Sequence, residues 1–93
     1  MKIARYEKAK EWTIGEQMAK IIEEIVEFRQ ELKSNNKSGI LDEGFDVIKT
    51  VFTLFDIMGY TEHEIRTHLS LHEQKLQGRH ENGTLKIKEW VNI

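Results

Sequence analysis

The sequence IEEIVE at residues 22–27, answered by DEGFD at residues 42–46, decides the fold of this chain. Each stretch places acidic residues inside an apolar helical pattern, where a carboxylate is costly unless it has a partner. Residues three apart in a helix lie about 60° apart around its axis, so acids at that spacing are neighbours. Four acids meet this condition in two pairs: Glu24, Glu27, Glu43 and Asp46. The two matched pairs predict one shared partner, and a hard divalent cation is the natural one.

The first acidic stretch lies in a helix predicted over residues 13–33. Thr13 and Glu16 have the spacing of a capping box, with Thr13 as the N-cap. Apolar residues at helical spacing define one face of this helix: Ile14, Met18, Ile21, Ile25, Phe28 and Leu32. The polar sequence SNNKSG at residues 34–39 predicts a loop after it.

The second acidic stretch lies in a helix predicted over residues 40–58, which Gly59 ends. Apolar residues cover more than half of its circumference, so the helix needs cover from several sides. Thr61 and Glu64 form another capping-box pattern and predict a third helix over 61–77, ending near Gly78.

The two ends of the chain give weaker patterns. Residues 3–11 are rich in Ala, Lys and Glu and predict a short helix. Asn82-Gly83 indicates a turn, followed by a tail that is either a strand or an extended arm. The glycines at both ends of residues 78–83 suggest a mobile flap over the site.

These patterns predict an all-α single domain over residues 1–93, with a core at about 12–79 and a tail at 80–93. A helical hairpin and a third helix would be completed by dimerisation into a four-helix bundle. A chain of 93 residues buries a limited share of its surface, and oligomerisation is a common supplement. We therefore expect a homodimer or a homotetramer.

Composition excludes several classes of function. Charged residues make up 32% of the chain and the net charge is -2, which argues against a nucleic-acid polymer or a membrane as partner. The chain has no cysteine and hence no thiolate metal site or thiol nucleophile. The N-terminal residues lack the apolar core of a signal peptide, and the most apolar run, 47–58, is too short to span a bilayer. We expect a cytoplasmic protein.

The type of metal follows from the available ligands. Carboxylates alone suit Mg²⁺, with Mn²⁺ as a substitute. Di-iron bundles need Glu-x-x-His pairs, which are absent, and the His63-Glu64…His68 spacing is one residue too long for a zinc protease. The alternative is that the acids form a solvated helix face, with Lys20 paired to Glu24, on a non-catalytic oligomerisation or regulatory module.

The order and spacing of the two acidic motifs resemble the MazG-like family of all-α nucleoside triphosphate pyrophosphohydrolases. The resemblance covers residues from about 12 to 79 and includes Gln17-Met18-x-Lys20 before the acids and Lys75 with Arg79 after them. It implies a magnesium-dependent enzyme that hydrolyses a (d)NTP to the monophosphate and pyrophosphate. A related enzyme acting on phosphoribosyl-ATP is the nearer alternative.

The resemblance also implies a role for each matching residue. The metal ligands would be Glu24, Glu27, Glu43 and Asp46. Glu23 occupies the first acid position of the motif, and either Glu23 or Glu27 would accept a proton from the attacking water. Lys75 and Arg79, together with Lys20 and Gln17, would bind the substrate. His72 stands where the family often has an asparagine, which puts recognition of the base or sugar in doubt.

Overall fold

Three α-helices and one short 3₁₀ turn make up the regular structure of the chain, and there is no strand. The computed structural model describes every residue from Met1 to Ile93. The 3₁₀ turn spans Ala9–Glu11, and the helices are α1 (Ile14–Ser34), α2 (Lys37–Ile57) and α3 (Glu62–Glu81). The prediction of an all-α chain is confirmed. The chain divides into two compact units, residues 2–59 and residues 60–93 with Met1.

The start of α1 agrees with the predicted N-cap, but only half of the predicted capping box forms. The hydroxyl of Thr13 accepts a hydrogen bond from the backbone N–H of Glu16 at 3.0 Å. The same hydroxyl donates to Glu16 Oε1 at 3.0 Å, so this carboxylate binds the side chain of Thr13. The helix ends at Ser34, one residue beyond the prediction, and Asn35 follows in the left-handed region with φ 57°.

The loop between the first two helices is much shorter than predicted. The side chain of Asn36 accepts a hydrogen bond from the backbone N–H of Gly39 at 3.2 Å, which starts α2 at Lys37. Only Asn35 and Asn36 remain between the helices. The predicted loop at 34–39 was wrong because an asparagine that caps a helix has the same composition as one in a loop.

The ends of the chain also depart from the predictions. The predicted helix over 3–11 is reduced to the turn at Ala9–Glu11, where the backbone N–H of Trp12 donates to the carbonyl of Ala9 at 3.0 Å. The helix α3 begins with both halves of the capping box between Thr61 and Glu64. It continues through Gly78 to Glu81, so most of the predicted flap at 78–83 is helical.

The tail after α3 contains no strand. The chain turns at Gly83, whose φ is 80°, as the turn signal predicted. Two hydrogen bonds to side chains of α3 then connect the tail to the end of that helix. The backbone N–H of Ile87 donates to His80 Nδ1 at 3.0 Å, and the indole of Trp90 donates to Gln77 Oε1 at 3.2 Å.

Helices α1 and α2 pack against each other as a hairpin, but α1 turns an unexpected face inward. Its buried side chains are Gln17, Ile21 and Glu24, which share one stripe at helical spacing. The predicted apolar face lies largely outside the hairpin, since these members of it are exposed: Ile14, Met18, Ile25 and Leu32. Polar side chains therefore occupy much of the contact between the two helices.

A glycine permits the close approach of the two helices beside the acids. A Cβ atom at Gly44 would lie 3.4 Å from the Phe28 ring, tighter than most contacts of this kind. Gly44 directly follows Glu43 in the sequence. A side chain at position 44 would therefore lie against the Phe28 ring.

None of the helices has the length and apolar character needed to cross a lipid bilayer.

Replacing Thr61 by alanine should lower the free energy of unfolding by about 1 kcal/mol, because the first turn of α3 loses its side-chain acceptor. Thr67→Ala is the matched control on the same helix. The Thr67 hydroxyl donates only to the carbonyl of His63, at 2.9 Å within the helix, and alanine has the higher helix propensity. Urea unfolding followed by circular dichroism measures both, and equal effects would contradict the capping role.

Candidate metal centre

Three carboxylates from two helices converge inside the hairpin. Glu24 and Glu27 lie one turn apart on α1, and Glu43 reaches them from α2. One carboxylate oxygen from each residue lies within 4.8 Å of the others. We call these three residues the acid cluster. Negative charges at this separation repel one another strongly unless a proton or a cation intervenes.

Burial makes the acid cluster costly. Glu24 is only 6% exposed, and its Oε2 atom is buried without a hydrogen-bond donor. Oε2 of Glu43 is likewise buried without a donor. A buried carboxylate oxygen that loses water and gains no donor carries the full desolvation penalty. The centre therefore contains two acceptor atoms in need of a positive partner.

Lys20 is the cation that forms an ion pair with the acid cluster. Lys20 Nζ lies 3.0 Å from Glu24 Oε1 and 3.6 Å from Glu23 Oε1. The hydrogen bond to Glu24 raises the pKa of Lys20, so the ammonium form is favoured. This pairing, which the sequence suggested, engages one oxygen of Glu24. The ion pairs of the chain include none to Glu27 or Glu43.

The crowding raises the pKa of two members of the cluster above 4.5, the ordinary value for glutamate. For Glu27 the main cause is the charge of Glu24, followed by partial burial. For Glu43 the main cause is partial burial, followed by the charge of Glu27 and then that of Asp46. Both shifts favour the protonated acid, the response expected of carboxylates held together without enough positive charge.

The acid cluster has the chemistry of a site for a hard divalent cation. It offers only oxygen ligands, which Mg²⁺ and Mn²⁺ prefer. The two buried Oε2 atoms lack donors, and a cation would satisfy them without adding a proton. Glu24, Glu27 and Glu43 could therefore hold such an ion.

The other predicted site residues lie at different distances from the cluster. Asp46 is outside the close group of three but lines a cavity together with Glu24. Glu23 is exposed and directed toward Lys20. Gln17 is buried, and its Nε2 donates to the carbonyl of Thr50 at 2.9 Å. Lys75 and Arg79 are exposed on α3, in the second compact unit, and their role in substrate binding stays a prediction.

The cavity beside the cluster includes residues that the sequence patterns did not select. It has a volume of about 460 Å³, and Tyr6, Trp12 and Lys49 line it with Lys20 and Glu24. No periodic pattern could have joined Tyr6 to Lys49, because their proximity arises from tertiary packing. No protein-family model, curated protein or solved structure matches the chain.

The metal-free protein should lose stability as the pH rises from about 4.5 toward neutrality. Glu27 and Glu43 have higher pKa values in the folded chain than in the unfolded chain. Their contribution to stability is thus complete below the unfolded pKa and is lost as the pH passes the folded values. Urea unfolding in the presence of a chelator, at several pH values, measures this loss.

The variant Glu43→Gln separates the effect of the acid cluster on the pH dependence of stability from the effect of other titrating groups. It removes one crowded charge, so the loss of stability with rising pH should be smaller than in the unmodified chain. Asp42→Asn, an exposed neighbour on the same helix, should leave the pH dependence unchanged. An unmodified chain whose pH dependence equals that of Glu43→Gln would show that the carboxylates do not repel one another.

Proposed function

We propose that the chain is a magnesium-dependent nucleoside triphosphate pyrophosphohydrolase, which converts a (d)NTP to the monophosphate and pyrophosphate. The observation that carries the proposal is the pair of buried Oε2 atoms of Glu24 and Glu43, which have no donor and lie in one cluster with Glu27. Such a pair favours a bound cation over a solvated helix face. The choice of reaction rests on the resemblance of the two acidic motifs to MazG-like enzymes.

The acid cluster would hold the magnesium, with Glu24, Glu27 and Glu43 as ligands and Asp46 as a further ligand at the edge of the cavity. When bound there, Mg²⁺ would neutralise the triphosphate and lower the pKa of a water molecule. The hairpin would keep the three carboxylates in place before substrate arrives, because they lie on α1 and α2, which pack against each other. This preorganisation spares the protein a rearrangement during the reaction.

In the proposed reaction, a water oxygen forms a bond to the α-phosphorus. The bond from that phosphorus to the oxygen bridging the α and β positions breaks, and pyrophosphate leaves with the bonding electrons. Glu27 would take the proton of the water. Glu27 belongs to the acid cluster beside which the water would lie, whereas Glu23 lies on the exposed side beside Lys20. No protein nucleophile is required.

The cations would hold the phosphates. Lys20 already lies between Glu23 and Glu24 and lines the cavity, so a phosphate oxygen could share its ammonium group. Lys75 and Arg79 are one helical turn apart on α3, and their charges suit a phosphate chain. Gln17 would support the substrate site by joining two residues of the cavity lining, since its Nε2 donates to the carbonyl of Thr50.

A second copy of the chain is the partner that the hairpin requires. Only Ala9 and Ile21 are buried apolar residues, and no large side chain is fully buried. So small a core leaves a chain of this length with little stability of its own. The outer faces of α1 and α2 carry the missing apolar surface, including Ile22, Val26, Leu41 and Phe45. Two hairpins joined through these faces would form a four-helix bundle.

The proposed activity predicts that Glu24→Gln and Glu43→Gln lower pyrophosphate release by about a hundredfold or more, since each removes a ligand that places charge at the reacting phosphate. Release of pyrophosphate from a panel of (d)NTPs in the presence of Mg²⁺ is the measurement. Asp42→Asn and Glu23→Gln are matched neighbours on the same two helices. Asp42→Asn should keep full activity, and Glu23→Gln should retain most of it. Phosphoribosyl-ATP in competition tests the related substrate class.

Thermal melting separates the enzyme from a non-catalytic oligomerisation module. Magnesium should raise the melting temperature of the unmodified chain and of Asp42→Asn, but scarcely that of Glu24→Gln. Full activity in both Glu24→Gln and Glu43→Gln would place the site elsewhere. Absence of any magnesium effect on melting would favour solvated acids on a scaffold.

The proposed assembly predicts that Leu41→Lys converts the oligomer to the monomer, because it places a charge in an apolar interface. Leu41 is 65% exposed on α2 in the single chain. Light scattering should give at least twice the chain mass of 11.0 kDa for the unmodified protein. Asp42→Lys places a lysine one residue away, with a larger change in net charge, and should keep the oligomer. A monomeric unmodified chain that is folded would contradict the assembly.

A further inference from the structure

The cavity beside the acid cluster is lined by two chemically different sets of side chains. Glu24, Asp46 and Lys20 carry charge and form what we call its charged part, and the rings of Tyr6 and Trp12 form its aromatic part. Its volume of about 460 Å³ lies within the range of small-molecule sites. A ligand that fills it would meet charged groups and aromatic rings at once.

The aromatic part is held in place by local structure. The rings of Tyr6 and Trp12 lie 5.8 Å apart at 44° to each other. Trp12 directly follows the 3₁₀ turn, where its backbone N–H is bonded to Ala9, and Ala9 is itself buried. The two rings bound a cavity that also contains polar side chains, instead of joining a closed apolar core. Rings in such a position offer flat faces to a flat ligand.

The charged part contains a cation without an acidic partner. The ion pairs of the chain use Arg5, Lys20 and Arg66, so Lys49 forms none. Lys49 lies on α2 and lines the same cavity as Lys20. An ammonium group free of carboxylates is available to an anionic ligand, and phosphate is a ligand that lysine binds well.

We propose that this cavity is the nucleoside subsite, in which Trp12, supported by Tyr6, stacks on the base and Lys49 binds a phosphate. The assignment rests on the proposed function for the identity of the ligand as a nucleotide. In this subsite the nucleotide has one orientation. Its phosphates lie toward Lys49 and the acid cluster, and its base lies on the aromatic rings. Gln17 of α1 donates a hydrogen bond to the carbonyl of Thr50 on α2, and both residues line the cavity.

Tryptophan fluorescence tests the stacking directly and without metal. The chain has two tryptophans, so the Trp90→Phe variant leaves Trp12 as the only reporter. Nucleoside 5′-monophosphates added in the presence of a chelator should quench Trp12 in a saturable manner. Ribose 5-phosphate carries the same phosphate without a base and should not quench. Equal effects of the two ligands, or saturable quenching by neither, would overturn the subsite.

Kinetics with substituted chains test the same contacts. Trp12→Ala should raise the KM for a (d)NTP by about tenfold to a hundredfold, the loss expected for one stacked base. Trp12→Phe keeps a ring and should retain most of the affinity, and Lys49→Met should raise KM while the quenching by an uncharged nucleoside persists. An unchanged KM in Trp12→Ala would overturn the assignment.

The two tests distinguish this subsite from the proposed reaction. Base-dependent quenching of Trp12 without hydrolysis of any (d)NTP would support the subsite and refute the hydrolase. Hydrolysis of a (d)NTP with an unchanged KM in Trp12→Ala would support the hydrolase and refute the subsite. If Trp12→Ala does not fold, the fluorescence of the Trp90→Phe variant and the KM of Trp12→Phe still decide the question.

Discussion

The structure depends on the burial of the Glu24 carboxylate between two helices, where it faces Glu27 and Glu43. One oxygen is bonded to Lys20, and the other has no donor. Charges in this arrangement destabilise the hairpin at neutral pH, because repulsion and desolvation act in the same direction. A fold of marginal stability tolerates such a cost only where another interaction offsets it. A divalent cation bound by the three carboxylates would offset this electrostatic cost within the acid cluster itself.

The same hairpin has an outward apolar surface and an inward polar one. The stripe of α1 that contacts α2 contains Gln17 and Glu24, while residues such as Ile22 and Leu41 face outward. The proposed cation would lie on the polar side of the hairpin, and the proposed second copy would cover its apolar side. Both can bind if two hairpins associate through their outer faces and leave the acid clusters open to substrate. The proposed activity and assembly are thus two consequences of one distribution of side chains.

Local patterns predicted the helices well, since caps and breaks depend on neighbours in the sequence. Thr13, Thr61 and Gly59 act where their types indicated, whereas Asn36 was mistaken for a loop residue although it caps a helix. Helical spacing also placed Glu24 beside Glu27. It could not identify the face of α1 that meets α2, because apolar periodicity does not distinguish an interface within the chain from one between chains. The cavity at Trp12 escaped prediction for a similar reason.

Anomalous X-ray scattering from crystals grown with Mn²⁺ shows whether the acid cluster binds a divalent cation. One or more anomalous peaks should lie in contact with carboxylate oxygens of Glu24, Glu27 and Glu43. Crystals of the Glu24→Gln variant should lose that density. If crystals of the unmodified chain contain excess manganese and the clustered carboxylates, but show no peak among them, the acid cluster is not a cation site.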